Sequence, residues 1–231
     1  MGFRHSWQEI FFVCLAIGAD PVAADFLLRD GVVADPLPEL LIVCHGNGCR
    51  DLGFLTLTPE QWNTVRAVFF PFARDAAEER DRLRTAIALM ERSAGTATGT
   101  WRDKGGSFNG GEGQMDCLDE TTNTTQYLRL LERFGLMRLH RVDTPATRGW
   151  FIGGWPHTTA AIAEVAPARS HDGTRQWAVD SWFLENGEPP FILPLDVWKA
   201  GWAPGQRYAD SGKMPGTARE RITHEDDLPG F

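Results

Sequence analysis

The stretch "GQMDCLDETTNTTQYLRLLERFG", residues 113–135, decides the fold because it carries both a helix start and a lone cysteine. A glycine-rich approach leads to Asp116, a residue type typical of an N-cap, and Asp119 three residues later completes an acidic capping box. The pattern therefore predicts a helix that begins at Cys117 and runs as far as Gly135, which ends it.

One face of this helix is predicted to pack on a sheet. The residues on that face follow spacings of four, three, four and three: Cys117, Thr121, Thr124, Leu128 and Leu131. Such spacing is typical of an amphipathic helix, and it would place the Cys117 sulfur at the edge of the sheet. The acidic pair just inside the start, Asp119 and Glu120, is interpreted as favourable charge near the helix N-terminus and nothing more.

The rest of the chain predicts helices first and an antiparallel sheet second. "TPEQWNTVRAVF" (58–69) opens with a capping box, and "RDAAEERDRLRTAIALMERSAG" (74–95) has apolar residues near helical spacing and ends at Gly95. "ELLIVC" (39–44) is predicted as a short strand. After Leu136 come short β-like segments bounded by Gly, Pro or Asp: "LMRLHRV", "GWFIGGW", "HTTAAIAEV" and "QWAVDSWF". The sequence therefore predicts an α+β fold.

Three side chains in this pattern could act together as a Cys-His-Asp triad. His157 opens one predicted strand and Asp180 lies in the next, and a hairpin across residues 166–175 would bring them together on one face. A thiolate can attack an amide carbonyl, an imidazole can shuttle the proton, and a carboxylate can orient the imidazole. The helix start should also lower the pKa of the Cys117 thiol.

Other side chains could serve the same site. Gln114, just before the helix, could donate to an oxyanion together with backbone N–H groups at the helix start. Trp155, close to His157, could form a wall of the cleft. The rival histidines for the role of base are His45, His140 and His171.

Composition and charge exclude several classes of protein. The 231-residue chain is 42% apolar and 23% charged, which is ordinary for a globular domain. Its net charge is -8 and it has no basic block, which argues against nucleic acid or an anionic membrane as the partner. No apolar run is long enough to span a bilayer.

The N-terminus predicts export to a secreted or periplasmic location. Arg4 and His5 precede the apolar run "IFFVCLAIGA", and small residues follow it that would allow cleavage after Ala24. The predicted divisions of the chain are a signal peptide at residues 1–24, a single domain at residues 25–205, and a poorly packed tail at residues 206–231.

Export simplifies the assignment of the four cysteines. Cys14 would leave with the signal peptide, and Cys44 and Cys49 in "CHGNGC" are close enough to close a small loop as a disulfide. A metal site with His45 is the alternative, but it lacks an evident fourth ligand. Cys117 is then left unpaired in an oxidising compartment, where a free thiol is a liability unless it is used.

The residues around the triad resemble those of bacterial transglutaminase-like cysteine proteinases, which have a papain-type fold. The shared pattern is a Gly-x-x-Asp-Cys helix start, a His that opens a strand about forty residues later, and an Asp in the following strand. It covers about residues 80–185 and departs from the family at Leu118, where the family usually has an acidic residue. The resemblance implies a nucleophile, Cys117, at the start of a helix packed on an antiparallel sheet, with His157 as base and Asp180 as orienting acid.

The resemblance also implies an activity. It points to a thiol peptidase or amidase that cleaves a peptide or protein substrate through a thioester, without an organic cofactor. Some members bind calcium through acids on both sides of the cysteine; here Asp116 is present but Leu118 replaces its partner, which argues against calcium, and no metal site is predicted. Two alternatives stay open: transglutaminase-type acyl transfer, and a catalytically silent module that binds peptide or glycan. The sequence makes no prediction of oligomeric state.

Overall fold

Helices and two antiparallel sheets follow one another along the part of the chain that the structure describes. The structure is a computed structural model, and it describes residues 35–107, 111–149, 156–165 and 175–206. In chain order its elements are β1 (Leu41–His45), β2 (Asp51–Leu55), α1 (Pro59–Ala67), α2 (Ala76–Thr98), a 3-10 turn (Thr100–Arg102), α3 (Cys117–Arg133), β3 (His140–Arg148), β4 (His157–Glu164), β5 (Gln176–Asp180), β6 (Phe191–Pro194) and α4 (Leu195–Lys199). The predicted α+β class is confirmed.

Several predictions concern residues outside these ranges. They are the signal peptide at residues 1–24, Trp155, His171, all but the first residue of the segment "GWFIGGW", and all but the first residue of the tail at residues 206–231. Within the described ranges, no helix combines the length and the apolar character that crossing a membrane requires.

The larger sheet has four strands in the order β3-β4-β5-β6, each antiparallel to its neighbour. β4 pairs with β5 in a register that sets Ala160 opposite Val179. This pairing confirms the predicted hairpin between the strands of His157 and Asp180, although most of its connecting segment lies outside the described residues. The smaller sheet is the antiparallel pair β1–β2.

Helix α3 packs on the larger sheet, as predicted, but between Asp119 and Leu128 its other sides are buried as well. Every residue from Asp119 to Leu128 is buried, because the helix packs against β3, β4 and β5 and also against β1 and α2. The uncharged polar residues in that stretch are Thr121, Thr122, Asn123, Thr124, Thr125 and Gln126. Buried polar side chains require partners inside the protein.

Two of these side chains are bonded to the backbone of β1. The Gln126 amide accepts the N–H of Ile42 at 2.9 Å and donates to its carbonyl at 2.8 Å. The Asn123 amide accepts the N–H of Cys44 at 2.8 Å and donates to its carbonyl at 2.9 Å. Since residues three apart lie on the same side of a helix, the two amides together act as a substitute strand along the free edge of β1.

Local helix signals predicted the starts of the helices better than their ends. The capping box of α1, between Thr58 and Gln61, is present as predicted. Helix α2, however, continues past Gly95 and ends at Gly99, whose φ of 82° suits a left-handed C-cap. Gly95 instead allows a close approach, because a Cβ there would lie 2.4 Å from Asn186 Oδ1.

The segment after residue 185 contains a strand and a helix that the sequence analysis did not predict. β6 completes the larger sheet, and α4 follows it directly. Trp198 on α4 is fully buried, at 0% exposure, in an apolar cluster with Leu193 and Trp202. This cluster is separate from the main core that packs around α2 and α3.

His140, a rival for the role of base, belongs to a buried hydrogen-bonded pair. Its Nδ1 lies 2.9 Å from Glu79 Oε1, and the same carboxylate accepts the backbone N–H groups of Arg138, Leu139 and His140. Burial opposes the charge on Glu79, but these contacts outweigh burial and lower the pKa of the carboxyl. The pair fixes α2 against the start of β3, so we assign His140 a structural role.

Candidate active site

The start of α3 has the capping geometry that the sequence predicts. The Asp116 side chain accepts the backbone N–H groups of Leu118 at 2.9 Å and of Asp119 at 3.0 Å. The Asp119 side chain accepts the N–H of Asp116 at 3.2 Å. Cys117 is therefore the first residue of the helix, and it is the free cysteine of the described residues.

The sulfur of Cys117 meets β4 at the first residue of that strand. Its Sγ lies 3.9 Å from the carbonyl oxygen of Pro156, and the backbone N–H of Thr158 also interacts with it. These two residues flank His157, so the sulfur lies against the backbone on both sides of the predicted base. The residue is buried, with 8% of its surface exposed.

The thiol of Cys117 is neutral at rest, contrary to the prediction of a lowered pKa. Burial raises its pKa to about 11, and the charges of Asp116 and Asp180 add to the rise. The N–H groups of Thr158 and of Cys117 itself favour the thiolate but do not outweigh burial. Desolvation of the sulfur therefore exceeds the effect of the helix start, and the thiol needs a base to lose its proton.

The pairing of β4 with β5 brings His157 and Asp180 together, as predicted. Extending the register by one residue sets Asp180 opposite Thr159, which lies on the same side of β4 as His157. His157 Nε2 is 2.7 Å from Asp180 Oδ2, and both residues are buried.

The bond to Asp180 determines which nitrogen of the imidazole is available for chemistry. An ionised carboxylate only accepts hydrogen bonds, so Nε2 carries the hydrogen and Nδ1 keeps its lone pair when the ring is neutral. Nδ1 of His157 is buried and has no hydrogen-bond partner among the described residues. Buried polar atoms without a partner are rare, so this nitrogen is a candidate proton acceptor.

Trp198, which the sequence analysis did not assign to the site, bonds to the same carboxylate. Its indole Nε1 donates to Asp180 Oδ2 at 2.7 Å, and the backbone N–H of Trp182 donates to Oδ1 at 3.2 Å. The two indole rings lie 5.3 Å and 4.7 Å from the His157 ring, respectively, and Phe183 lies 5.1 Å from it. The sequence signal for it is the clustering of tryptophans in the C-terminal half, where Trp150, Trp155, Trp177, Trp182, Trp198 and Trp202 lie.

The predicted disulfide between Cys44 and Cys49 is present, and its loop contacts the site. Asp119 Oδ2 accepts the N–H of Asn47 at 2.8 Å, and Oδ1 accepts the N–H of Cys49 at 2.5 Å. The interpretation of Asp119 as helix-start charge alone is therefore wrong. No group of three or more His, Cys, Asp or Glu side chains in the described ranges could hold a metal ion.

Of the two remaining predicted site residues, the structure describes only Gln114. The Gln114 amide donates from Nε2 to the carbonyl of Arg102 at 2.7 Å and accepts the N–H of Lys104 at 3.3 Å. It is thus engaged by the turn that follows α2, and its role as an oxyanion donor stays a prediction that these contacts do not favour. Trp155 lies outside the described residues.

Acidic side chains are buried on and around α3. They are Glu91, Asp103, Asp119 and Glu120. Burial raises the pKa of Glu91 to about 7 and the pKa values of Asp103 and Asp119 to about 6. Burial, followed by the nearby charge of Glu91, raises the pKa of Glu120 well above its ordinary value. Near neutral pH, part of this cluster is therefore protonated.

We expect the stability of the protein to fall as the pH rises from about 5 to about 8. Because the pKa values of these four carboxyls are raised by folding, the folded chain binds more protons than the unfolded chain in this range. Their stabilising contribution is complete below about pH 4 and is lost as the pH passes through about 6 and 7. The thermal unfolding midpoint should be higher at about pH 5 than at about pH 8 by roughly 5 °C or more.

The variant Glu91→Gln provides the control for this pH dependence, because it removes the titration at about 7. In this variant the thermal unfolding midpoint should change less with pH near pH 7 than it does in the parent. Glu79 does not contribute in this range, since its pKa is lowered and it stays ionised throughout. A midpoint that is constant or rises towards pH 8 would contradict the assigned directions.

Comparison with known proteins identifies no relative. No protein-family model, curated protein or solved structure matches this chain. The chemistry of the site itself is therefore the basis for assigning a function.

Proposed function

We propose that this protein is a thiol-dependent peptidase or amidase that acts through Cys117, His157 and Asp180. The observation that carries the proposal is Nδ1 of His157, a buried nitrogen without a hydrogen-bond partner among the described residues, in a ring whose other nitrogen is bound by Asp180. The Cys117 sulfur contacts the backbone on either side of His157, at Pro156 and Thr158. We propose that this nitrogen takes the proton of the thiol, which burial keeps neutral.

The raised pKa of Cys117 determines how the first step would run. Since the thiol is neutral at rest, His157 Nδ1 takes its proton as the sulfur attacks the amide carbonyl carbon. A C–S bond forms, and the carbonyl oxygen becomes an oxyanion. When this intermediate collapses, the C–N bond breaks and Nδ1 returns the proton to the leaving amine. Water then hydrolyses the thioester, with the same nitrogen acting as base, and the thiol is regenerated.

The groups around the triad would stabilise the charges that form during these reaction steps. Asp180 stabilises the imidazolium that forms when His157 takes the thiol proton, and Trp198 holds one carboxylate oxygen in place. The donor that we propose for the oxyanion is the backbone N–H of Cys117, because the Asp116 side chain already accepts the N–H groups of Leu118 and Asp119.

The proposal extends to the fold type and to the cellular location. A nucleophile at the first residue of a helix, with histidine and aspartate on adjacent antiparallel strands, supports a papain- or transglutaminase-like arrangement. The Cys44–Cys49 disulfide is compatible with a secreted or periplasmic location, because disulfides persist in oxidising compartments. We infer a peptide or protein as the substrate.

Alkylation of Cys117 by iodoacetamide tests the proposed pairing of thiol and imidazole. At about pH 7 the parent protein should be alkylated, because His157 takes the thiol proton. The variant His157→Ala should react more slowly by a factor of about ten or more. Burial raises the pKa of the thiol to about 11, and the variant lacks the base that would remove the proton. The rate is measured by mass spectrometry of the peptide that contains Cys117.

The variant Asp81→Ala is the control, since it also introduces alanine, but at a side chain on α2 that is 77% exposed. It should be alkylated at the parent rate. Equal rates in the parent and His157→Ala would contradict the enzyme proposal and favour the silent binding module.

A further inference from the structure

The Cys44–Cys49 loop has an unusual backbone. All of its residues from 46 to 49 have positive φ, with values of 81° at Gly46, 68° at Asn47, 72° at Gly48 and 56° at Cys49. For Asn47 and Cys49 this left-handed region is uncommon and requires support from the surrounding structure. A turn of this kind can direct more than one N–H group towards a single acceptor.

The acceptor is the carboxylate of Asp119, which is 0% exposed. It accepts the N–H of Asn47 at 2.8 Å and the N–H of Cys49 at 2.5 Å. The same carboxylate accepts the N–H of Asp116, the N-cap of α3, at 3.2 Å. Asp119 therefore joins the loop to the residue immediately before Cys117.

Further contacts join the loop to α3 on both sides of the thiol. Gly46 donates its N–H to the carbonyl of Gln114 at 3.2 Å. At the other end, the backbone of Cys44 is bonded to the side chain of Asn123. The first turn of α3 is thus fixed before and after Cys117 by one loop closed by a disulfide.

Such fixation matters because thiol chemistry depends on distance and direction. A displacement of about 1 Å between a nucleophile and its base can cost about 100-fold in rate. Cys117 is buried and sits between Asp116 and Asp119, so any shift of this turn moves the sulfur relative to His157.

We propose that Asp119 is a positioning residue that couples the disulfide-closed loop to the Cys117 thiol and holds the sulfur in reach of His157. The inference rests on the proposed function and assigns a further residue to the same site. It means that efficient catalysis needs the loop in its disulfide-bonded form, although neither Cys44 nor Cys49 touches the reacting atoms.

The test measures how strongly alkylation of Cys117 depends on His157. The measured quantity is the rate of alkylation with His157 present divided by the rate in the same protein with His157→Ala. This ratio is determined for the parent and for each variant. The temperature is one at which circular dichroism shows a folded protein. In the parent this ratio should be about ten or more. In Asp119→Asn it should fall to near one, because an amide cannot accept all three N–H groups. The kcat should fall with it while KM changes little.

A second variant keeps Asp119 and opens the loop instead. The pair Cys44→Ser and Cys49→Ser is expected to fold even if Asp119→Asn does not, because the main apolar core contains neither cysteine. In this double variant the ratio of alkylation rates should also fall, by several-fold. Asp81→Asn is the matched control, since it makes the same change on α2 at a side chain that is 77% exposed, and it should leave the ratio unchanged.

The outcomes separate this inference from the proposed function. A merely structural role of Asp119 would lower the unfolding midpoint but leave the ratio at the parent value in the folded variants. That result would overturn the inference and leave the function standing. A ratio near one in the parent itself would contradict the function.

Discussion

Replacing Cys117 by alanine is expected to abolish hydrolysis, with kcat/KM falling roughly 10⁴-fold or more. The proposed reaction passes through a thioester on this sulfur, and the variant lacks the atom that His157 is proposed to activate. The loss should appear in the cleavage of fluorescently labelled casein and of a mixed library of peptide amides. The variant should also fail to form an acyl-enzyme, which mass spectrometry detects in the parent after rapid acid quench.

Two controls separate this loss of chemistry from a loss of folding. Alanine suits the first position of a helix, so the unfolding midpoint of Cys117→Ala should stay within a few degrees of the parent value. The variant Cys117→Ser keeps a hydroxyl at the same place and should be nearly as inactive, because a site built for a thiol does not activate a much less acidic hydroxyl. Parent-like activity in Cys117→Ala would refute the assigned nucleophile.

Replacing Asp180 by asparagine should lower kcat roughly 10²- to 10⁴-fold with little change in KM. The amide keeps the size of the side chain, but it cannot stabilise an imidazolium. Its NH₂ group can also donate to Nε2 of His157, which would move the ring hydrogen to Nδ1 and remove the proton acceptor. Steady-state kinetics on the same peptide substrates measure both parameters.

The variant Trp198→Phe is the graded control for this prediction. It removes the indole N–H that donates to Asp180 Oδ2 at 2.7 Å but leaves the carboxylate itself. We expect a loss of only about tenfold, since one hydrogen bond is lost and the charge remains. If Asp180→Asn were as active as the parent, the carboxylate would have no part in the reaction.

Elements whose signals are local could be predicted from the sequence. The start of α3 at Cys117 and the capping box of α1 depend on side chains within one helical turn, so their patterns are visible in a short window. The burial of α3 could not be predicted in this way. Two of its polar residues, Asn123 and Gln126, are bonded to β1, and the partner of Gln126, Ile42, lies 84 positions away in the chain.

The same distinction applies to the site. The proximity of His157 and Asp180 was predicted because adjacent antiparallel strands with a short connection pair in register. The raised pKa of Cys117 could not be predicted from the sequence, because it depends on how deeply the sulfur is buried. The bond from Trp198 to Asp180 requires β6 and α4, whose short segments carried no clear pattern.

The two amides that bond α3 to β1 set a limit on how this chain can change in length. Asn123 and Gln126 fix the rotation of the helix about its own axis relative to the β1 backbone. If one residue were inserted between Cys117 and Asn123 while the amides kept their partners, the thiol would swing by about 100° around that axis and point away from β4. Insertions and deletions between Cys117 and Asn123 should therefore be excluded.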